Sequence, residues 1–196
     1  IEVLSLGGGV QSSTVLRMSI RGELPKLDHA IFADTMWEPK AVYEHVEKLR
    51  AECEAFGIAF HRVSAGNIRN DAVVSMVRGV KSEGQRWAAK PLFTLNPDRS
   101  QGMIKRQCTK EYKIEPIEKC IKQTILGLKP RQRTPKEQVV RQWFGISFDE
   151  RQRMRLCEDK WRSFWYPLVE ARHSRNWCHD WLARCGFGEA PRSACI

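Results

Sequence analysis

No stretch of this 196-residue chain approaches the roughly 18 consecutive apolar residues needed to cross a bilayer, and no charged-then-apolar leader opens it. A membrane-spanning or secreted protein is therefore not expected. No internal repeat is found, which sets repeat architectures aside. A disulfide framework is also missing: the seven cysteines (Cys53, Cys108, Cys120, Cys157, Cys178, Cys185 and Cys195) are odd in number and scattered, the pattern of a reducing cytoplasm. Acidic residues are in deficit, with 23 Asp and Glu against 33 Lys and Arg, for a net charge of +10 and a pI near 9.5. Such a surplus favours polyanionic partners, namely nucleotides, nucleic acid or an acidic membrane surface, without choosing among them. What is present in quantity is apolar residue, 42%, enough for a real core and too much for a disordered tail. The length suits one domain with at most a small appendage. Ile1 already lies in an expected strand and Ile196 follows a cysteine by one step, so the chain reads as a piece of a longer protein.

Along the chain, strands and helices alternate. Glu2 to Leu6 reads as a short buried strand, followed by a glycine turn and a helix from about Ser12 to Ile20. His29 to Ala33 is a second strand. A helix from Glu38 carries Val42, Val46, Leu49, Cys53 and Phe56 at steps of four and three on one face, and Gly57 stops it. Ile58 to Val63 is a third strand. This alternation predicts an α/β fold, a doubly wound parallel sheet with helices on both faces. A less regular stretch follows, Arg69 to Gln107. The spacing of Ile114, Ile117, Ile121 and Ile125 predicts a helix over Lys110 to Leu126. A basic loop, Gly127 to Gln138, leads into a strand from Val139 to Ser147, and a charged segment begins at Asp149. A last helix runs from Ser174, its N-cap, to Cys185, closed by Gly186. Residues 1–155 form the expected nucleotide-binding unit, and 156–196 a helical, cysteine-bearing extension that the chain's end cuts short.

The most informative segment is Leu6-Gly7-Gly8-Gly9-Val10-Gln11-Ser12-Ser13-Thr14, directly after the first strand. Glycines admit an anion close to the backbone, and the N–H groups of a helix start point at it; the hydroxyls of Ser12, Ser13 and Thr14 add donors. Two familiar phosphate loops do not fit. A Walker A loop needs Gly-Lys where Ser12 and Ser13 stand, and a dinucleotide fingerprint needs a third glycine where Ser12 stands. The segment resembles instead the pyrophosphate-binding (PP) loop of the adenine nucleotide α-hydrolase superfamily, with Gly7 for the usual Ser and Gln11 for the usual Asp.

The resemblance extends along the chain. Phe32-Ala33-Asp34-Thr35-Met36-Trp37-Glu38 is similar to the Asp-Thr segment of the phosphoadenylyl-sulfate (PAPS) reductase family, and Cys108-Thr109-Lys110-Glu111-Tyr112-Lys113 to that family's Cys-x-x-x-x-Lys stretch. Gly145 to Arg153 resembles its Gly-x-Arg-x-x-x-x-x-Arg strand end, with Ser147 replacing the arginine. On these segments, spanning Glu2 to about Arg153, the chain is identified as PAPS-reductase-like. The resemblance implies an adenine nucleotide across the carboxyl ends of the strands, with phosphates on Gly7, Gly8, Gly9, Gln11, Ser12 and Ser13. Asp34 and Thr35 would lie by the ribose or adenine, Gly145 would admit the base to the backbone, and Lys110, Lys113 and Arg153 would neutralise a phosphate or sulfate. His61 and His173 show no partner and read as structural or exposed.

Two chemistries suit this cradle. Either the α-phosphate of ATP is attacked and pyrophosphate leaves, with Mg²⁺ assisting, or a thiol attacks the sulfur of a sulfonucleotide. Gln11, where an acidic residue is usual, weakens the magnesium-dependent version. The family's Glu-Cys-Gly motif has no counterpart; the nearest string is Arg184-Cys185-Gly186, which argues against PAPS reduction itself. Cys178, near the start of the last helix, is expected to have a lowered thiol pKa. Cys108, Cys178, Cys195 and a cysteine beyond the end make a candidate [4Fe–4S] site, against the alternative of buried apolar thiols. Cys53 and Cys120 read as core. Finally, the loop Lys129 to Lys136, the stretch Trp161 to Trp165 and the Arg172 to Arg175 region suggest a basic aromatic surface, and with it sulfur transfer to tRNA or DNA. A nucleotide-sensing module without turnover is the third reading.

Overall fold

A computed structural model describes residues 1–71, 74–77, 80–83, 93–95, 97–103 and 109–193. Five strands form one parallel sheet: β1 (Glu2–Leu6), β2 (His29–Ala33), β3 (Ala59–Val63), β8 (Val140–Phe144) and β9 (Arg162–Trp165), in the spatial order β3-β2-β1-β8-β9. Register is set by apolar residues that must point into one layer or the other: Leu4 lies beside Ala30 and Trp143, Val3 beside His29 and Gln142. Two short antiparallel pairs lie apart from this sheet, β4 (Val74–Val77) with β5 (Val80–Glu83) and β6 (Phe93–Leu95) with β7 (Gln101–Met103).

Because successive residues of a strand face opposite ways, the sheet needs two covering layers. One face buries Leu4, Leu6, Ala30, Phe32 and Trp143 beneath α1 (Val10–Ile20), α2 (Lys40–Ala55) and, later in the chain, α6 (Arg175–Arg184). The other buries Val3, Ile31, Ala33 and Val140 beneath α4 (Glu115–Cys120), whose Ile117 and Cys120 pack there with Ile121. The short helices α3 (Ile68–Asp71) and α5 (Pro167–Glu170) fill the connections. The expected α/β architecture with helices on both faces is what the chain adopts.

Three elements depart from expectation. The helix over 110–126 is not a continuous α-helix: π turns at Lys110–Ile114 and Ile121–Ile125 flank α4. Pro116 offers no N–H and its ring crowds the carbonyl four residues back, which widens the preceding turn. Helix α1 starts at Val10, two residues earlier than the sequence suggests. In the stretch Trp161 to Trp165, expected on a basic aromatic surface, Trp161 and Arg162 are buried and the other three half-buried, since Arg162–Trp165 is the edge strand β9, with Trp165 edge-on to Trp143 at 4.4 Å. Beyond residue 155, β9 is the outer strand of the sheet beside β8, and Leu168, Cys178, Trp181 and Leu182 pack into the core that holds Leu4 and Trp143.

From β1 the chain first builds outward through β2 and β3, then returns to lay β8 and β9 on the opposite side. The crevice between the carboxyl ends of β1 and β8 is thus the topological switch point, where open parallel sheets take their ligands. Gly7 follows β1 there and Gly145 follows β8.

Candidate functional site

The glycine loop bridges β1 to α1. Gly8 has φ +69°, and a Cβ added to it would meet Val46 at 3.0 Å and Val42 at 3.2 Å, so only glycine lets the turn lie this close to α2. Gly9 is the N-cap, with no side chain capping the helix. The N–H groups of Gly8, Gly9, Val10 and Gln11 donate to no acceptor among the described residues, leaving a run of amide donors at the positive end of an eleven-residue helix.

The hydroxyls do not add to this set. With α1 starting at Val10, Ser12, Ser13 and Thr14 fall inside its first turn and bond backwards, the habit of Ser and Thr in helices. Ser12 Oγ donates to Gly9 O (3.2 Å) and accepts from Gly7 N (3.1 Å); Ser13 Oγ donates to Gly9 O (2.8 Å); Thr14 Oγ1 donates to Val10 O (2.9 Å). All three residues are buried. The expectation of outward hydroxyl donors is corrected: these groups shape the loop from behind. His45 of α2 joins them, its Nε2 2.8 Å from Ser13 Oγ, and burial with the nearby Arg17 cation pushes its pKa down to about 4.

Gln11 reaches across the crevice. Its amide donates to Ser147 Oγ (3.1 Å) and Glu150 Oε2 (3.0 Å), tying the loop to the segment after β8. Gly145 in that segment has a reason of its own to be glycine. A Cβ there would lie 2.6 Å from Ser12 Cα and N, so glycine lets the segment after β8 pass this close to the α1 backbone.

At the end of β2, Asp34 is buried and fully engaged. Its Oδ2 takes a two-pronged bond from Arg62 (3.0 and 2.7 Å), and its Oδ1 takes the Met36 N–H (2.7 Å) and the Tyr43 hydroxyl (2.9 Å). It holds Met36 in its left-handed turn (φ 57°). Thr35 is buried beside Glu38, whose side chain is only 1% exposed and whose Oε1 lies 3.3 Å from Lys113 Nζ. Ser193, from the segment after α6, sits between Glu38 (Oγ to Oε2, 3.5 Å) and Gly9 (Cβ 3.5 Å from the position of a Gly9 Cβ).

Of the three expected cations, only Lys113 joins this group. Lys110 is largely exposed, with Glu115 3.9 Å away, and Arg153, also exposed, pairs with Glu150. The loop Lys129–Lys136 is largely exposed. Glu38, His45, Arg62, Tyr43 and Ser193 were not foreseen. For His45 a signal existed: it lies three residues after Val42 and four before Leu49, on the buried stripe of α2.

Two histidines first read as partnerless have partners. His61 Nε2 is 3.1 Å from His29 Nδ1, and His173 stacks flat on Trp177 with centroids 3.4 Å apart. The cysteine expectation is corrected as well. Cys178 is fully buried in the core, its thiol near Thr14, and burial pushes its pKa up to about 12 rather than down. Cys178 is enclosed among core side chains, the surroundings of the buried apolar thiol that was the alternative reading. Cys108 and Cys195 lie outside the described residues, and among the described residues no three His, Cys, Asp or Glu side chains are grouped to hold a metal. Cys53 and Cys120 are core, as expected. For magnesium, Glu150 is tied to the loop through Gln11 and pairs with Arg153, Glu38 lies 3.3 Å from Lys113, and among the described residues these acids belong to no group of three that could hold the ion. No helix among the described residues is long and apolar enough to cross a membrane.

By sequence, no family model and none of the curated proteins matches the chain. By structure, it is similar to the phosphoadenylyl-sulfate (PAPS) reductase of Candida auris, solved as a phosphate complex, with a TM-score of 0.53 and 16% identity over 97% of this chain and 73% of that one. At that identity the likeness establishes a shared fold.

Proposed function

We propose that this chain is an adenine-nucleotide-binding enzyme of PAPS-reductase-like type, which holds the phosphates of ATP or a sulfonucleotide on its glycine loop and acts at the phosphate or sulfate group. The observation that carries the reading is the row of unpartnered amides from Gly8 to Gln11, at a helix start, beside the switch point of a parallel sheet. That the neighbouring fold belongs to an enzyme solved with phosphate supports it.

On this reading the residues divide the work simply. Amides meet the phosphate oxygens with fixed dipoles that need no reorganisation as charge develops. Lys113 supplies the mobile positive charge. Gln11 holds the two rims of the crevice together, while His45 and Ser13 fix the loop from behind. No step is routed through an iron–sulfur cluster or through a protein-held magnesium ion.

Calorimetric titration with ATP, AMP and inorganic pyrophosphate is the test, followed by assay of pyrophosphate release from ATP with and without tRNA or DNA. Binding of ATP and of pyrophosphate is expected. Absence of heat with all three compounds overturns the reading.

A further inference from the structure

Among the described residues two carboxylates are buried, and they are satisfied very differently. Asp34 accepts four bonds of 2.7 to 3.0 Å. Glu38 has only contacts at the outer limit: Lys113 at 3.3 Å, and the hydroxyls of Thr35 and Ser193 at 3.5 Å each. A carboxylate offers about four acceptor positions, and leaving them underused away from water is costly. Glu38 therefore has acceptor capacity that the protein itself does not fill.

The place of Ser193 indicates what would fill it. This one residue lies beside the glycine loop, its Cβ and backbone N 3.5 and 3.7 Å from where a Gly9 Cβ would stand, and its hydroxyl is 3.5 Å from Glu38 Oε2. A molecule displacing it meets amide donors at one end and a carboxylate at the other, so it must carry anionic oxygens and, a few ångströms away, a hydroxyl that donates. A nucleoside phosphate with a free ribose hydroxyl has both.

We infer that Ser193 stands in the place of a ligand hydroxyl, and that Glu38 reads a free ribose hydroxyl on the nucleotide held by the glycine loop. The inference rests on the nucleotide-binding reading above and narrows it. A 3′-phosphate removes one of the two ribose hydroxyls and brings negative charge toward a carboxylate, so the site takes ATP or a sulfonucleotide with an unmodified ribose and disfavours 3′-phosphorylated ones. Asp34 cannot perform this reading, because Arg62, Tyr43 and the Met36 amide already occupy both its oxygens.

Four nucleotides and pyrophosphate test this on the unmodified protein by calorimetry: ATP against 2′,3′-dideoxy-ATP, and AMP against adenosine 3′,5′-bisphosphate. The first member of each pair is expected to bind about tenfold more tightly, the worth of one charge-assisted hydrogen bond. In Glu38→Gln the preference for ATP over its dideoxy analogue should shrink to less than about threefold. Equal affinity for ATP and dideoxy-ATP in the unmodified protein, with pyrophosphate bound, overturns the role of Glu38 and leaves the cradle standing. Failure of both ATP and pyrophosphate to bind overturns the cradle, and this inference with it. A preference that survives intact in Glu38→Gln shows that another group reads the hydroxyl.

Discussion

Ser13 Oγ lies 2.8 Å from His45 Nε2 and, equally, 2.8 Å from the carbonyl oxygen of Gly9. The hydroxyl has one proton, and a carbonyl can only accept; the proton therefore goes to Gly9, and His45 must donate from Nε2. That assigns the neutral Nε2–H tautomer and makes a relay, imidazole to hydroxyl to carbonyl. Gly9 O also receives Ser13 N and Ser12 Oγ. Donors converging on that oxygen polarise the peptide unit whose other end is the Val10 N–H, one of the unpartnered amides.

Removing either member of this relay strands a buried polar partner. Ser13→Ala and His45→Ala should each lower stability by roughly 1–3 kcal/mol. Urea denaturation measures this, and a double variant costing clearly less than the sum of the two would report their coupling. If the relay also sharpens the amide donors, ATP affinity falls in Ser13→Ala even at temperatures where the variant is fully folded. A variant with unchanged stability would contradict the relay.

Gly145→Ala tests the seam between β8 and α1. The new methyl group would sit 2.6 Å from Ser12 Cα and N, backbone atoms that cannot rotate away. Overpacking of this kind costs roughly 1–3 kcal/mol, and relief by tilting the first turn of α1 would disturb the unpartnered amides of the glycine loop too. A lower urea midpoint together with weaker ATP binding is expected. A stable variant with full affinity would show that neither contact with α1 nor access for a base requires this glycine.

How much of this was legible follows from how local each signal is. The strands β1 to β3 and the helices between them announce themselves by runs and periods within ten or so residues, and the Ser174 cap is satisfied as read, accepting the Trp177 N–H at 3.1 Å. β9 was not legible, because Arg162-Ser163-Phe164 looks like a surface until β8 is known to pair with it; Arg162 is then buried against Gln142, Asp159 and Glu118. The glycine loop was placed correctly, but its hydroxyls were given the wrong direction through a two-residue error in the start of α1. Glu38 was hidden as one more acid near a helix start; its role depends on Lys113 and Ser193, 75 and 155 residues away.

Thiol chemistry separates the buried cysteines from the accessible ones. Burial raises the Cys53 and Cys178 thiols to about 12 each, whereas Cys157 and Cys185 are half-buried. At pH 8 a thiol of that kind holds roughly three orders of magnitude less thiolate than an ordinary one. Iodoacetamide on the folded protein, mapped by peptide mass spectrometry, should therefore mark Cys185 and Cys157 well before Cys53 and Cys178. Rapid alkylation of Cys178 would return it to consideration as a metal ligand.

The last expectation concerns acid. His45 is neutral when folded because burial and the Arg17 charge hold its pKa near 4, against about 6.5 in an unfolded chain. Between those values the unfolded state binds the extra proton, so stability rises with pH across this window. The contribution is complete above about pH 6.5 and is lost as pH falls toward 4, amounting to roughly 3 kcal/mol at the lower end. His29, His61 and His173 are also shifted down by burial and slope the same way. The decisive comparison is therefore between the natural chain and His45→Gln, in which only the His45 share disappears. The stability of His45→Gln should fall less steeply from pH 7 to pH 4, even though its absolute stability at pH 7 is lower, and the two curves should converge toward acid. Parallel curves, or an imidazole resonance of His45 titrating near 6.5 by NMR, would show that the histidine is not enclosed behind the glycine loop.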